Sequence, residues 1–277
     1  MYKISGGRER VGLVATTGNE ETGSKTYSLA AATVAAAVAA LGSAPADSAE
    51  TAQERDAVVL QEITVTAQRR VESAQVVPMA MTAVDGVRLE ALGVRDSQDL
   101  QRLSAGLIFG NNSNFAQPYI RGVGTEITVP GAESSVATFI DDVYQPAPYV
   151  GIAVLSDIER VEVLKGPQGT LYGRNATGGA INIQTKEPGK HFESDVQLTV
   201  GNFDALGAKL YVSGPLSQKL SANLSVSASD RDGFAKDLTT GGDYNSERYR
   251  LYRGKLSYDV TDELNLLLSA YHYSRND

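Results

Sequence analysis

Five acidic side chains, Asp141, Asp142, Asp157, Glu159 and Glu162, fall close together in the chain and are the first candidates for chemistry. Paired carboxylates hydrolyse glycosides when two of them face each other across a cleft at a set separation. Nothing in the sequence holds two of these five in that arrangement, so no catalytic residue is assigned. Gly122-Val123-Gly124 opens like a dinucleotide-binding fingerprint, yet Ile127 stands where the third glycine is needed. Lys165-Gly166-Pro167-Gln168-Gly169-Thr170 has the flavour of a phosphate loop and lacks its Gly-Lys-Ser/Thr ending. The chain has no cysteine and only two histidines, His191 and His272, which removes disulfides, thiolate nucleophiles and the common zinc ligand sets. No metal site and no cofactor is implied. The net charge of −8, from 33 acidic against 25 basic residues with no basic cluster, argues against a nucleic-acid partner.

The elements that carry these residues fall into four stretches. Residues 1–46 read as an export signal: Lys3, Arg8, Arg10 and Lys25 precede an apolar run from Ser28 to Leu41, and Ala44-Pro45-Ala46 supplies a small-residue cleavage site. Residues 47–72 begin polar and are expected to be flexible. Out of them rises a β-branched run, Val58 to Ala67, of strand length and with no obvious neighbour. Such a strand either pairs inside its own domain or adds itself to the sheet edge of another protein.

Residues 73–188 read as a small α+β domain. Val77 to Val84 is a strand pattern ending in the turn signal Asp85-Gly86. Val87, Leu89, Leu92 and Val94 recur at roughly helical spacing, and Ser97 is placed to cap a second short helix carrying Leu100 and Leu103. Short strands at Gly106 to Phe109 and Tyr119 to Gly122 flank a polar loop containing Asn111, Asn112 and Asn114. In Arg160-Val161-Glu162-Val163 the period of two puts both charges on one strand face and both valines on the other. That charged face suits either a polar wall or solvent. Gly178-Gly179 reads as a tight backbone crossing.

Residues 189–277 change texture. Val196, Leu198 and Val200 alternate with Asp195, Gln197 and Thr199, and similar alternation marks four further segments, including Leu220 to Ser229 and Tyr252 to Val260. Apolar-out, polar-in segments of about ten residues are the signature of a membrane β-barrel, with an antiparallel sandwich as the competing reading. Short connections at Gly214 to Lys219 and Thr261 to Glu263, against a long polar one from Asp230 to Arg248, favour the barrel.

Several long motifs carry a resemblance. Glu62-Ile63-Thr64-Val65-Thr66-Ala67, Ile120-Arg121-Gly122-Val123-Gly124-Thr125, Thr138 to Tyr144, and the run from Ile158 to Ile183 are similar to the TonB-dependent outer-membrane receptors, over about residues 58 to 277. Asp142 departs from the family's usual Gly, and Ala105 from a frequent Pro. The resemblance implies an α+β plug domain followed by an incomplete antiparallel transmembrane β-barrel, and a chain that is the N-terminal part of a longer receptor. It implies that Glu62, Ile63, Thr64, Val65, Thr66 and Ala67 form the box engaged by the TonB energy transducer of the inner membrane. Arg121, Gly122, Arg160, Glu162, Gly166, Pro167, Gly178 and Gly179 are the plug-motif residues. The expected activity is uptake of a scarce solute across the outer membrane without chemistry on it. A ferric siderophore is favoured over cobalamin, saccharides or aromatic compounds, and a non-transporting surface-binding protein is the alternative. Three loops at one end of the plug offer ligand-binding candidates: Asn111, Asn112, Asn114 and Gln117; Glu126; and Tyr144 with Tyr149. Amides and phenols there suit an oxygen-rich ligand.

Overall fold

The computed structural model describes residues 9–17, 64–65, 72–73, 77–112, 115–126, 133–146, 155–236, 243–244 and 246–275. Two structural layers stand out within them, a plug and a wall. The strands, in chain order, begin with β1 (Glu9–Thr17), which the sequence placed ahead of the apolar export run and which here pairs in parallel with the last strand of the wall.

The plug opens with β2 (Thr64–Val65) and β3 (Glu72–Ser73), paired antiparallel as a short hairpin. Next come β4 (Met81–Asp85), α1 (Gly86–Ala91), a 3-10 helix (Ser97–Arg102), and the hairpin of β5 (Leu107–Asn112) and β6 (Phe115–Ile120). β7 (Val136–Ile140), β8 (Val143–Tyr144), β9 (Ile158–Lys165), α2 (Gly169–Tyr172) and β10 (Gly179–Thr185) complete it. Five of these strands form one mixed sheet in the order β4-β9-β10-β7-β8, in which only β10 and β7 run parallel.

Both faces of that sheet are covered, so its central strands lack the alternation of a half-exposed strand. On one face Val84, Val136, Val161, Val163, Ile181 and Ile183 pack with Leu89, Leu100, Leu107 and Ile120. On the other, Ala137, Phe139, Leu164 and Ala180 pack with Val65, Val77 and Tyr172. Each buried Val, Leu, Ile or Phe among them contributes roughly 1.5–3 kcal/mol.

Three local expectations are corrected. Asp85-Gly86 starts a helix instead of making a turn. The Asp85 carboxylate accepts the Arg88 N–H at 2.7 Å, and a Cβ at Gly86 would collide with the Ile158 carbonyl. The 3-10 helix is capped by Asp96, whose carboxylate accepts from Gln98 and Asp99 at 2.9 and 3.1 Å, and Ser97 is its first buried residue. Val87 and Leu92 face outward, 81% and 48% exposed, because α1 spans only 6 residues and turns Leu89 alone into the core.

The wall follows as β11 (Glu193–Gly201), β12 (Ala205–Pro215) and β13 (Leu220–Arg231). A small hairpin of β14 (Ala235–Lys236) and β15 (Asp243–Tyr244) sits in the long connection, and β16 (Glu247–Asp259) and β17 (Leu264–Arg275) complete the wall. The sheet order is β1-β17-β16-β13-β12-β11, antiparallel throughout except at β1, and it is not closed. The five alternating segments of the sequence are therefore five long strands.

The wall is inside-out by the standard of a soluble sheet. Leu198, Val200, Leu206, Leu224, Leu256 and Leu268 are exposed, while Ser213, Asn223, Ser225, Ser227, Arg253, Lys255 and Ser269 are buried. No helix among the described residues is long and apolar enough to cross a membrane.

Candidate functional site

The segment that resembles a TonB box comes first in the chain. Of the six residues read as the box, Thr64 and Val65 form β2, and Glu62, Ile63, Thr66 and Ala67 lie outside the described residues. Of the two readings left open for this strand, its described residues take pairing within their own chain: Thr64 is opposite Ser73, and Val65 is opposite Glu72. Val65 is fully buried and shares a cluster with Phe139, Leu164 and Tyr172, a natural seat for a β-branched side chain. Thr64 and Val65 are thus both held against their own chain.

The plug motifs act through backbone geometry. Gly179 has φ +145°, and a Cβ there would strike the Leu164 carbonyl and approach Ile120 at 2.8 Å. At Gly178 a Cβ would lie 2.9 Å from the Val123 carbonyl oxygen, so the crossing expected from Gly178-Gly179 is present. Arg121 (φ 53°) and Gly122 (φ 80°) make a left-handed bend, and the Arg121 N–H donates to the Gly106 carbonyl at 2.7 Å. Gly166 (φ 104°), followed by Pro167, donates its N–H to Gly178. The Arg121 guanidinium reaches this corner too. Partial burial and then the neighbouring Arg121 lower the pKa of the Lys165 ammonium.

Arg160 and Glu162 do share a face, with Nε to Oε1 at 2.9 Å. Glu162 is fully buried and also accepts from the Asn182 amide on β10 at 3.3 Å, which removes the reading of a solvated surface ladder.

The contact that sequence reasoning did not assemble joins plug to wall. Arg253 and Lys255 alternate onto the inner face of β16 and are almost completely buried. The Arg253 Nη1 donates to Asp157 Oδ1 at 2.6 Å and to the Ser156 carbonyl at 3.1 Å. The Lys255 Nζ lies 3.0 Å from Asp141 Oδ2 and donates to the Thr185 carbonyl at 3.1 Å. Small residues flank them: Ser225 is opposite Arg253 on β13, while Asn223 and Ser269 are opposite Lys255 on the two sides. The Asn223 amide donates to the Lys186 carbonyl at 2.9 Å, and the Ser213 hydroxyl accepts from Gly189 at 2.8 Å.

Both plug aspartates are left-handed, Asp141 at φ 48° and Asp157 at φ 54°. Asp141-Asp142 makes the β7 to β8 turn with Asp142 at φ 64°, a backbone that accounts for Gly as the family's usual residue there. The Asp141 carboxylate also accepts the Thr185 N–H at 2.9 Å and hydroxyl at 2.7 Å, and the Asp157 carbonyl accepts from Lys186 at 2.7 Å. Burial pushes the Asp157 carboxyl above its ordinary range, against the opposing pull of Arg253.

The ligand candidates fare unevenly. Asn111 and Asn112 belong to the strand β5, because the hairpin ladder continues to Asn112 opposite Phe115; the expected loop is thereby shortened. Asn114 and Tyr149 lie outside the described residues. Gln117 is buried, and its amide donates to the Glu126 carbonyl at 3.2 Å, so the structure brings these two candidates together. Tyr144 is half-buried. Its ring packs on Phe139 with centroids 5.5 Å apart, and its hydroxyl accepts from the Asn175 amide at 2.7 Å. Among the described residues no group of His, Cys, Asp and Glu is arranged to hold a metal.

A plug seated by buried polar contacts on the inner face of an inside-out antiparallel wall defines a class, the plugged receptors of the outer membrane. Residues 73–180 match the family model described as TonB-dependent Receptor Plug Domain, and this part of the chain is a plug domain of that family. It is similar to the pesticin receptor of Yersinia pestis, 33% identical over 175 residues, covering 62% of this chain and 25% of that protein. An iron-regulated outer membrane virulence protein of Vibrio cholerae is 29% identical over 216 residues, covering 74% and 32%. The crystal structure of the ferric yersiniabactin uptake receptor FyuA from Yersinia pestis superposes with a TM-score of 0.60 at 31% identity, covering 65% of this chain and 29% of that one. The chain spans about a quarter to a third of the length of these relatives.

Proposed function

We propose that this chain forms the plug and the first wall strands of an outer-membrane receptor that takes up a scarce solute by energy coupling. A ferric siderophore is the favoured solute. The observation that carries the reading is the inner face of the wall: two buried cations and a row of small polar residues receive a polar plug, while leucines and valines face outward. A soluble sandwich buries the opposite faces. The proteins it resembles are named as receptors for pesticin and for ferric yersiniabactin, and as an iron-regulated outer-membrane protein, which supports iron complexes as the class. The reading involves no bond made or broken: the outer loops and the plug apices bind the solute, and a pull on Glu62 to Ala67 by the TonB transducer opens a path.

The test is made with the outer-membrane receptor that carries this chain, expressed in iron-starved cells lacking their own siderophore receptors. Radio-iron presented on catecholate, hydroxamate and mixed chelators should be taken up from at least one of them. Deleting Glu62 to Ala67 should abolish uptake and leave binding of that chelate intact. Uptake that survives the deletion would remove the coupling mechanism. Binding with no uptake in the unmodified receptor would favour a surface-binding protein, and uptake of cobalamin in place of iron would change the solute class.

A further inference from the structure

We propose that Arg253 and Lys255 are positioning residues that keep one end of the plug fixed to the wall while coupling force remodels the other end. This rests on the energy-coupled reading above. Asp141, Asp157 and Thr185 all lie at the same end of the plug sheet, where β10 leaves, β9 begins and β7 turns into β8. Lys255 holds Asp141 and the Thr185 carbonyl, and Arg253 holds Asp157. The two aspartates in turn hold Thr185 and Lys186, the residues through which the chain passes from plug to wall. Three separate loops are thus tied to two side chains on one strand.

The coupling chain enters at the opposite end of the same sheet. Lys165 at the end of β9 donates to the Ala80 carbonyl, just ahead of β4, and Val65 and Val77 pack there with Leu164 and Ala180. β4 is an edge strand of this sheet, held by a ladder of 5 residues to β9 alone. Short ladders open more readily than a buried ion-paired corner, so the entry end is the part that yields. At the held end, any separation would strand two buried cations whose ion-pair partners among the described residues are the plug aspartates, which makes opening there costly.

These 277 residues contain no cysteine, so a single introduced thiol is the one labelling site within them, and the receptor without the substitution is the control for labelling elsewhere. Val77→Cys marks the entry end and Ile183→Cys the held end; both parent residues are buried, at 7% and 1% exposure. The probe is a water-soluble maleimide added to energised cells carrying the outer-membrane receptor, with and without the transducer. The expected result is about tenfold faster labelling of Val77→Cys when the transducer is present, with Ile183→Cys unchanged. Adding Arg253→Gln and Lys255→Gln should make Ile183→Cys transducer-dependent as well. Where that pair reduces outer-membrane levels, Asp157→Asn removes the Arg253 partner from the plug side and should open the same position. Labelling of Ile183→Cys that rises alongside Val77→Cys in the parent would overturn the fixed end while leaving energy coupling intact. An Ile183→Cys that stays closed in the neutralised variants would overturn the role of the two cations. No transducer dependence at either position would overturn the coupled reading and this proposal together.

Discussion

Arg253 and Asp157 are 96 residues apart in sequence and 2.6 Å apart in space, and neither retains more than a trace of solvent contact. A buried pair of this kind is expensive to break from one side. Arg253→Ala and Asp157→Ala should each destabilise plug docking by about 3–5 kcal/mol, and their double variant should cost less than the sum, with a coupling of about 0.5–3 kcal/mol. Urea unfolding of the purified receptor in detergent, followed through the plug, gives these values. Additive costs would mean that the two residues act separately.

Acidity acts on the same contact in a direction that intuition gets wrong. Burial raises Asp157 above its ordinary value of 3.8. The folded protein therefore holds this proton more tightly than the unfolded chain does. The stability linked to the group is full below the unfolded value and is lost as pH rises through the raised folded value. Comparing wild type with Asp157→Asn between about pH 4 and about pH 7 isolates the effect. The stability difference should move in favour of wild type as pH falls, and movement the other way would contradict the raised value.

Two glycines separate collision from backbone conformation. Gly173 has φ +83° with nothing within 4 Å of a Cβ, whereas Gly179 has φ +145° and a carbonyl in the way. Gly173→Ala should cost about 1 kcal/mol from conformation alone, and Gly179→Ala about 2–4 kcal/mol because the β9 and β10 backbones must part. Thermal melting of the two variants decides this, and equal costs would mean that the crossing can relax.

Val65 should separate coupling from binding. Val65→Pro removes a ladder donor at β2 and a fully buried side chain. Uptake is expected to fall while affinity for the chelate stays, and an equal loss of both would assign the residue to folding of the plug.

Tyr144 carries two roles that substitutions pull apart. Tyr144→Phe keeps the ring on Phe139 and loses the bond from Asn175, at a cost of about 1 kcal/mol in stability. Tyr144→Ala should in addition weaken chelate binding by about 1–3 kcal/mol if the ring stacks on the solute. Unchanged affinity in the Ala variant, with normal membrane levels, would leave Tyr144 a plug-core residue only.

The wall was legible in the sequence because its strands alternate with a period of two: in the second half of β16, Arg253, Lys255 and Ser257 face inward and Tyr252, Leu256 and Tyr258 outward, while earlier in the strand Leu251 is buried and Arg248 and Arg250 are exposed. The plug motifs were legible because left-handed bends and close crossings demand glycine, as at Gly122, Gly166 and Gly179. The partner of Arg253 was not legible. Asp157 lies in a different element and is aimed by its own left-handed backbone, and no local pattern records a pairing across 96 residues. The start of α1 was misread for a related reason. Asp85-Gly86 is a turn signal on its own and becomes a helix cap only once Ile158 is packed against it. Of the ligand loops, sequence found the polar residues, but it could not show that Gln117 commits its amide to Glu126.

The placement of Arg253 and Lys255 two residues apart also bears on assembly of the wall. Strand register is a discrete choice, and a slip of one residue sends every side chain to the other face. In β16 that error would turn both cations toward the lipid and bring Tyr252, Gly254 and Leu256 against the plug, leaving Asp141 and Asp157 without counter-charges. A one-residue slip of β16 is therefore disfavoured by the buried contacts that Arg253 and Lys255 make with the plug.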